Sequence, residues 1–140
     1  MAMELNEFVK RLEVMQKQYP ADASDALEEA AEDMRKAIRK ATPHSRRKHP
    51  HKLRRGWKLE MVDLWGKAPE AHIRNTSPHY HLVERGVQHP KDPHGNPKPE
   101  WLDSLNRNKG FTEKAVKNNW PKLKEKMAKD FYQRVRDHLG

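Results

Sequence analysis

Histidines are the residues of this sequence whose type and spacing best suit chemistry, because nine occur and two pairs have a His-x-His spacing. The pairs are His49 with His51 and His79 with His81. Residues i and i+2 of a β-strand point to the same side, so His79 and His81 could both reach one metal ion. A third ligand would have to come from His72, His89 or His94, and no spacing in the sequence secures one. We therefore expect solvated or hydrogen-bonded histidines, with no metal site and no cofactor.

Other catalytic groups lack the arrangement that a reaction requires. A metal-dependent nuclease is one alternative for a basic, histidine-rich chain, but such a site needs carboxylates or asparagines grouped around the ion. The acidic residues lie mostly on predicted helix faces, and the six glycines are isolated, so no phosphate-binding loop is present. No serine has a GxSxG setting, and there are no cysteines. The sequence therefore predicts a protein that is not an enzyme.

A dense basic cluster is the strongest binding signal. It consists of Arg46, Arg47, Lys48, Lys52, Arg54 and Arg55. Residues 42–58 hold seven basic residues and no acidic one, within a chain of net charge +9. Contact with DNA phosphates would be independent of base sequence and sensitive to salt, whereas acids on a neighbouring subunit would pair with the same cluster. We expect one of these two partners, DNA or an acidic protein surface, to meet the cluster.

Two apolar stripes predict helices within the first 41 residues. The first stripe lies in residues 3–18 and contains Leu5, Phe8, Val9, Leu12 and Met15. Pro20 interrupts it, and Asp22 or Ser24 can cap a second helix that runs to about Ala41. The second stripe contains Ala23, Leu27, Ala30, Met34, Ala37, Ile38 and Ala41. Its small alanines favour close approach to another helix or a sheet.

The middle of the chain predicts a small meander of strands. Trp57, Leu59, Met61 and Trp65 alternate with Lys58 and Glu60. Residues 71–75 and 79–85 are the second and third strand candidates, and residues 67–70 connect the first two. Residues 86–110 contain four prolines and predict a long irregular loop, in which Trp101 is the expected intermolecular anchor.

Residues 111–139 predict a C-terminal helix, broken in two if Pro121 lies in the first turn of a second piece. Leu123, Met127, Phe131, Val135 and Leu139 repeat every fourth residue, and Ala115, Val116 and Trp120 continue the apolar face upstream. The predicted fold is α+β: N-terminal helices and a long C-terminal helix packed on a small antiparallel sheet, with long basic and Pro-rich loops. We expect one domain over residues 1–140, divided into helices (1–41), basic loop (42–56), strands (57–85), long loop (86–110) and helix (111–139). No signal peptide or membrane span is expected.

Several short motifs occur in an order typical of one protein family. They are Ala-x-x-Ala-Thr-Pro ending at Thr42-Pro43, Lys52-Leu53-Arg54-Arg55-Gly56-Trp57 entering a strand, and Tyr80, Val83-Glu84 and Gly86 further on. Phe111 and Ala115 would open the last helix. Together these motifs resemble the tail-completion or neck (head–tail joining) proteins of long-tailed bacteriophages, the minor-tail-protein-Z-like family. The resemblance spans nearly the whole chain.

The resemblance implies a structural virion protein of a siphophage. Such proteins form a ring, usually a hexamer, on the end of the completed tail and allow the head to join. The implied partners are further copies of the chain, the tail terminator, the head-side connector and, without sequence specificity, DNA in the channel. The implied location is the virion tail or neck, with the host cytoplasm as the place of assembly.

Within this resemblance, the motif Tyr80, Val83, Glu84 and Gly86 is expected to be a fold and interface element. Tyr80 and Glu84 would share either a strand face or one face of a helix. Glu84 could accept backbone N–H groups or an arginine such as Arg54 or Arg55. Gly86 would supply a turn with positive φ into the long loop.

Overall fold

A computed structural model describes residues 17–43, 53–62 and 68–139 of the chain. Within these ranges the elements follow in the order α1 (Pro20–Ala41), β1 (Trp57–Val62), β2 (Glu70–Asn75), α2 (Tyr80–Arg85), α3 (Leu102–Asn106) and α4 (Phe111–Leu139). Short 3₁₀ helices at Leu53–Gly56 and Pro99–Trp101 precede β1 and α3. Helices combined with a two-stranded antiparallel sheet confirm the predicted α+β class.

Helix α1 forms where the apolar stripe predicts it. It begins at Pro20, slightly before the predicted caps, because a proline suits the first helical turn. Asp22 in the first turn and Arg39 and Lys40 in the last complement the helix dipole. Its buried residues are Ala23, Ala26, Ala30, Ala31, Met34 and Ile38. The helix predicted for residues 3–18 falls almost wholly at positions 1–16, outside the described residues.

Strands β1 and β2 pair as the alternation indicates, and Trp57 is buried at the start of β1. The backbone N–H of Thr76 donates to the carbonyl of Gly56 at 2.9 Å, just beyond the strand ends. Trp65 and Lys67, the first residue of the predicted connection, lie outside the part of the chain that the structure describes. Glu70, the last residue of that connection, begins β2.

The prediction of a third strand over residues 79–85 is wrong, because residues 80–85 form helix α2. Tyr80 and Glu84 both bond to Thr112. In a strand these two residues would be about 13 Å apart, whereas one helical turn separates them by about 6 Å along the axis. Contacts with a distant part of the chain therefore select the helix, although the local alternation resembles a strand.

The segment 86–110 is less irregular than predicted. Residues Lys91 and Pro97 form an isolated antiparallel bridge, and the 3₁₀ helix Pro99–Trp101 leads directly into α3. Each of these pieces is too short to show helical or strand periodicity, which explains why the sequence predicts a loop.

Helix α4 is continuous, and Pro121 lies inside it rather than at the start of a second piece. An internal proline costs about 3 kcal/mol in helix stability. Buried residues on both sides of the proline offset this cost, namely Phe111, Ala115, Ala128, Phe131 and Val135. Trp120 is 44% exposed and Val116 is 37% exposed, so the predicted apolar face is not buried through the middle of the helix.

The chain divides into two compact units, and their charges differ in sign. The first, called the acidic unit, comprises Met1–Met34, Leu59–Ile73 and Asn119–Gly140; its described residues include seven Lys/Arg and eleven Asp/Glu, a net charge of −4. The second, called the basic unit, comprises Arg35–Lys58 and Arg74–Asn118; its described residues include fifteen Lys/Arg and five Asp/Glu, a net charge of +10. The single domain over residues 1–140 stays a prediction.

The acidic unit has a small apolar core with ion pairs at its edge. The core contains Ala23, Ala26, Phe131 and Val135, with Tyr19 and Met127 packed against it. Arg134 donates to Asp130 and to Glu29, at 3.1 and 3.0 Å, and these carboxylates, Asp130 first, raise its pKa. Lys126 donates to Asp33 at 2.7 Å, a bond that raises the pKa of the lysine. Asp22 is buried and lies 2.7 Å from Nδ1 of His138.

Candidate functional site

The motif predicted from residues 80–86 lies on helix α2 and the turn that follows it. Gly86 has φ of 77°, which confirms the predicted turn of positive φ. A side chain at this position would also collide with the amide oxygen of Asn106, so glycine is required for two reasons. Val83 is half-buried, and its N–H donates to the carbonyl of His79 at 3.3 Å.

The Glu84 carboxylate holds the beginning of helix α4. Its two oxygens accept the backbone N–H groups of Thr112 and Glu113, at 3.0 and 3.3 Å, and its own carbonyl accepts the N–H of Gly110 at 2.9 Å. The first N–H groups of a helix have no partner within the helix, and a negative charge there is favoured by the helix dipole. Of the two partners predicted for Glu84, the structure therefore selects backbone N–H groups.

Tyr80 joins an aromatic cluster in the same unit. Its hydroxyl donates to the hydroxyl of Thr112 at 3.1 Å. Its ring meets Trp57 edge to face at a centroid distance of 5.4 Å, and both rings lie edge to face with Phe111, at 6.2 and 6.4 Å. Such aromatic pairs contribute about 0.5–1.5 kcal/mol beyond the area that they bury. The motif is thus fixed to both β1 and α4.

The Thr42 hydroxyl links the end of α1 to the sheet. It donates to the carbonyl of Ile38 at 2.7 Å and accepts the indole N–H of Trp57 at 2.8 Å. The guanidinium of Arg54 donates to the Thr42 carbonyl at 3.2 Å. Thr42 is buried, so each bond replaces one that water would otherwise supply. Thr42 therefore meets Arg54 and Trp57, which belong to a separate motif of the sequence.

The side chains of two asparagines bond to backbone groups of other segments. The Asn75 side chain donates to the Leu53 carbonyl at 2.8 Å. The Asn106 side chain accepts the N–H of Val87 at 2.6 Å and donates to the Val87 carbonyl at 3.0 Å. Neither these roles nor the role of Thr112 could be predicted from the sequence, because single asparagines and threonines are common in loops.

The basic cluster is described only in part. Arg46, Arg47, Lys48 and Lys52 lie outside the described residues. Arg54 is half-buried and bonded to Thr42, so it supports the fold, whereas Arg55 is exposed. Contact of the cluster with DNA or with an acidic protein surface stays a prediction.

The long segment carries the exposed tryptophan expected there. Trp101 is 38% exposed, and Nζ of Lys98 lies 6.0 Å from its ring centroid. The preceding turn is organised by Asp92, whose carboxylate accepts the N–H groups of Asn96 and His94 at 2.8 and 2.9 Å. The bond from the Asn96 backbone is the main cause that lowers the pKa of Asp92.

The histidines do not assemble into a ligand set within the described residues. No group of three or more His, Cys, Asp or Glu side chains is placed there to hold a metal ion. His72 lies 2.9 Å from Glu70, and the pair is exposed. His79 and His81 lie at the beginning of α2, where residues i and i+2 do not face the same side. The contacts of the motif with Thr112 and Glu113 support the fold.

Comparison with known proteins identifies a family that matches this chain. The family model described as "Bacteriophage HK97-gp10, putative tail-component" matches residues 6–86, more than half of the 140-residue chain. No curated protein and no solved structure matches the chain significantly. The matched range contains Thr42-Pro43, residues 52–57 and the motif that ends at Gly86. Among the described helices, none has the length and hydropathy of a membrane span.

Proposed function

Because the chain belongs to the HK97 gp10-like family of bacteriophage tail components, we propose that it forms a ring on the end of the completed tail and allows the head to join. The role is structural. The ring is a hexamer in a siphophage virion, between the tail terminator and the head-side connector. Assembly takes place in the host cytoplasm before the protein enters the virion.

One observation carries this proposal: the family match covers the residues that tie the basic unit together. Thr42, Trp57 and Glu84 all lie within residues 6–86. Thr42 and Trp57 bond to each other, and the Glu84 carboxylate accepts backbone N–H groups at the start of α4. Outside the matched range the chain exposes Trp101. Internal supports for the fold together with large exposed apolar side chains are what an assembly protein requires.

Attachment of purified protein to purified tails tests the proposal. We expect the protein, labelled for electron microscopy, to decorate one end of tails isolated from a mutant that lacks it, and to leave tails from wild-type phage undecorated. Size in solution, measured by light scattering, should be recorded alongside. Binding along the tail shaft, or no binding to either end, contradicts the proposal.

A DNA-binding accessory protein is the second candidate, favoured by the net charge of +10 on the described residues of the basic unit. Replacing Arg46, Arg47, Lys48 and Lys52 by serine tests it without touching Arg54, which supports the fold. If DNA is the partner, the variant binds duplex DNA more weakly and with a smaller dependence on salt. Unchanged DNA binding, with tail attachment lost, assigns these residues to a protein surface.

A further inference from the structure

A compact apolar surface lies in the part of the basic unit that the family match does not cover. Trp101, Leu102 and Leu105 are 38%, 38% and 42% exposed. Leu105 follows Leu102 by three residues and Trp101 by four, across the junction of the 3₁₀ helix Pro99–Trp101 with α3, so its side chain neighbours both of the others on that segment. These three residues are called the apolar platform below.

Basic residues flank the platform along the chain, and they outnumber the acidic ones. Lys98 lies over the Trp101 ring at 6.0 Å, and Arg107 and Lys109 follow α3. The local acids are Glu100, whose carboxylate is 4.0 Å from Nζ of Lys98, and Asp103. With the +10 charge of the described part of the basic unit, the platform suits a partner that carries negative charge around an apolar contact.

The same chain supplies such a surface in its acidic unit. Within the described residues this unit carries a net charge of −4, and Asp25 and Glu28 are exposed on α1, three residues apart on one side of the helix. Asp25 also lies 4.0 Å from a guanidinium nitrogen of Arg134 in the same unit. Each copy therefore presents two surfaces of opposite charge, one in each unit.

We infer that the apolar platform of one copy docks on the acidic unit of a second copy, at the part of α1 around Asp25 and Glu28. The inference rests on the proposed ring. A ring needs a contact between two different surfaces that repeats from copy to copy, whereas two identical surfaces meeting would close a dimer. Platform against platform would also bring two strongly positive units together, and like charges disfavour that contact.

Two complementary variants test the contact. Leu102→Asp with Leu105→Asp damages the platform, and Asp25→Lys with Glu28→Lys reverses the charge of the acidic surface. Wild-type protein should associate reversibly in low salt, measured by sedimentation velocity, and dissociate as salt rises. Each variant alone should be monomeric. Loss of one buried leucine contact should weaken association by at least about tenfold.

An equimolar mixture of the two variants gives the sharpest result. The platform variant keeps its acidic surface, and the acidic-surface variant keeps its platform, so a single productive contact can form between them. We expect a dimer of one copy of each and no larger species. Val116→Asp is the matched control, because Val116 is 37% exposed in the same unit but lies on α4, and this variant should associate as wild type does. Circular dichroism and urea unfolding should show that all variants are folded.

Several outcomes overturn the inference. They are a mixture that stays monomeric, self-association of the acidic-surface variant alone, and a platform variant that loses DNA binding but not self-association. A wild-type chain that stays monomeric at millimolar concentration in low salt also overturns it. Ring formation by the wild type on purified tails is scored separately, so failure of this contact and failure of the proposed function are distinguished.

Discussion

The contacts that stabilise the interior of the acidic unit differ in kind from those that stabilise the interior of the basic unit. The acidic unit packs small and medium apolar side chains, Ala23, Ala26 and Val135 among them, and places ion pairs at the edge. The basic unit relies on single polar side chains that reach backbone groups, above all Thr42 and Glu84, together with three aromatic rings. The stability of the acidic unit is therefore distributed over many small contacts. The stability of the basic unit depends on a few residues.

This difference predicts how each unit responds to substitution. A distributed core loses a little with each change, because neighbouring contacts remain. A residue that satisfies several buried or terminal backbone groups leaves all of them without partners when it is removed. Polar substitutions should therefore cost more in the basic unit than in the acidic unit.

The largest effect is expected from Trp57→Ala. The change removes a buried ring that contacts Tyr80 and Phe111, and it leaves the buried Thr42 hydroxyl without the indole N–H. We expect the free energy of unfolding, measured in urea, to fall by about 3–5 kcal/mol. Trp57→Phe is the control: it keeps the apolar ring and loses the N–H, so it should cost less. Equal costs for the two variants would mean that packing around the ring contributes little.

Glu84→Ala is expected to have the next largest effect. It removes an ionised acceptor from two backbone N–H groups at the start of α4, a loss of about 1.5–3 kcal/mol for a charged hydrogen bond. Glu84→Gln keeps an oxygen acceptor without the charge and should fall between alanine and wild type. Amide exchange at Thr112 and Glu113 should rise in the same order. If Glu84→Ala has the same free energy of unfolding as wild type, the basic unit does not depend on this residue as we expect.

Arg134→Ala tests the other side of the comparison. Arg134 pairs with three carboxylates, those of Asp25, Glu29 and Asp130, but its side chain is 34% exposed at the edge of the acidic unit. Exposed ion pairs contribute about 0–1 kcal/mol each and weaken with salt. We expect a smaller loss than for Glu84→Ala, and one that shrinks further in high salt. A loss as large as that of Glu84→Ala would remove the distinction between the units.

Asp92 gives the smallest effect, confined to its own turn. Its pKa is lowered in the folded chain, mainly by the N–H of Asn96, so its contribution is present above the ordinary pKa of an aspartate, about 3.9, and is lost as pH falls through the lowered value. Amide exchange at His94 and Asn96, compared with the exchange rates of an unstructured peptide at each pH, should show protection that falls on acidification. Asp92→Asn should remove this pH dependence while global unfolding changes little. Unaltered pH dependence in that variant would assign the effect to another group.

The same contrast explains which parts of the structure the sequence could predict. Helices α1 and α4 and strand β1 follow from apolar periodicity, because burial of one face is a local pattern. Gly86 and the capping role of Glu84 were within reach of the sequence, since glycine favours positive φ and a carboxylate accepts N–H groups. Helix α2 could not be predicted from the local sequence, because its conformation depends on contacts with Thr112, far along the chain.

The candidate site shows the same limit. The spacing of Tyr80, Val83, Glu84 and Gly86 resembles a family motif in the sequence. The residues that these side chains contact could not be predicted from that spacing. Asn106 contributes two bonds to Val87 from within a segment that has no periodicity. The exposure of Trp101 agrees with its expected position in a loop, while its role as an anchor stays a prediction.

Head–tail joining in vitro tests the central claim most directly. Tails and DNA-filled heads are isolated from a phage mutant that lacks this protein, mixed with and without the purified chain, and assayed for infectious particles. We predict that particles form only when the protein is added, and that the Trp57→Ala variant restores fewer of them. Tails that join heads equally well without the protein would contradict the account.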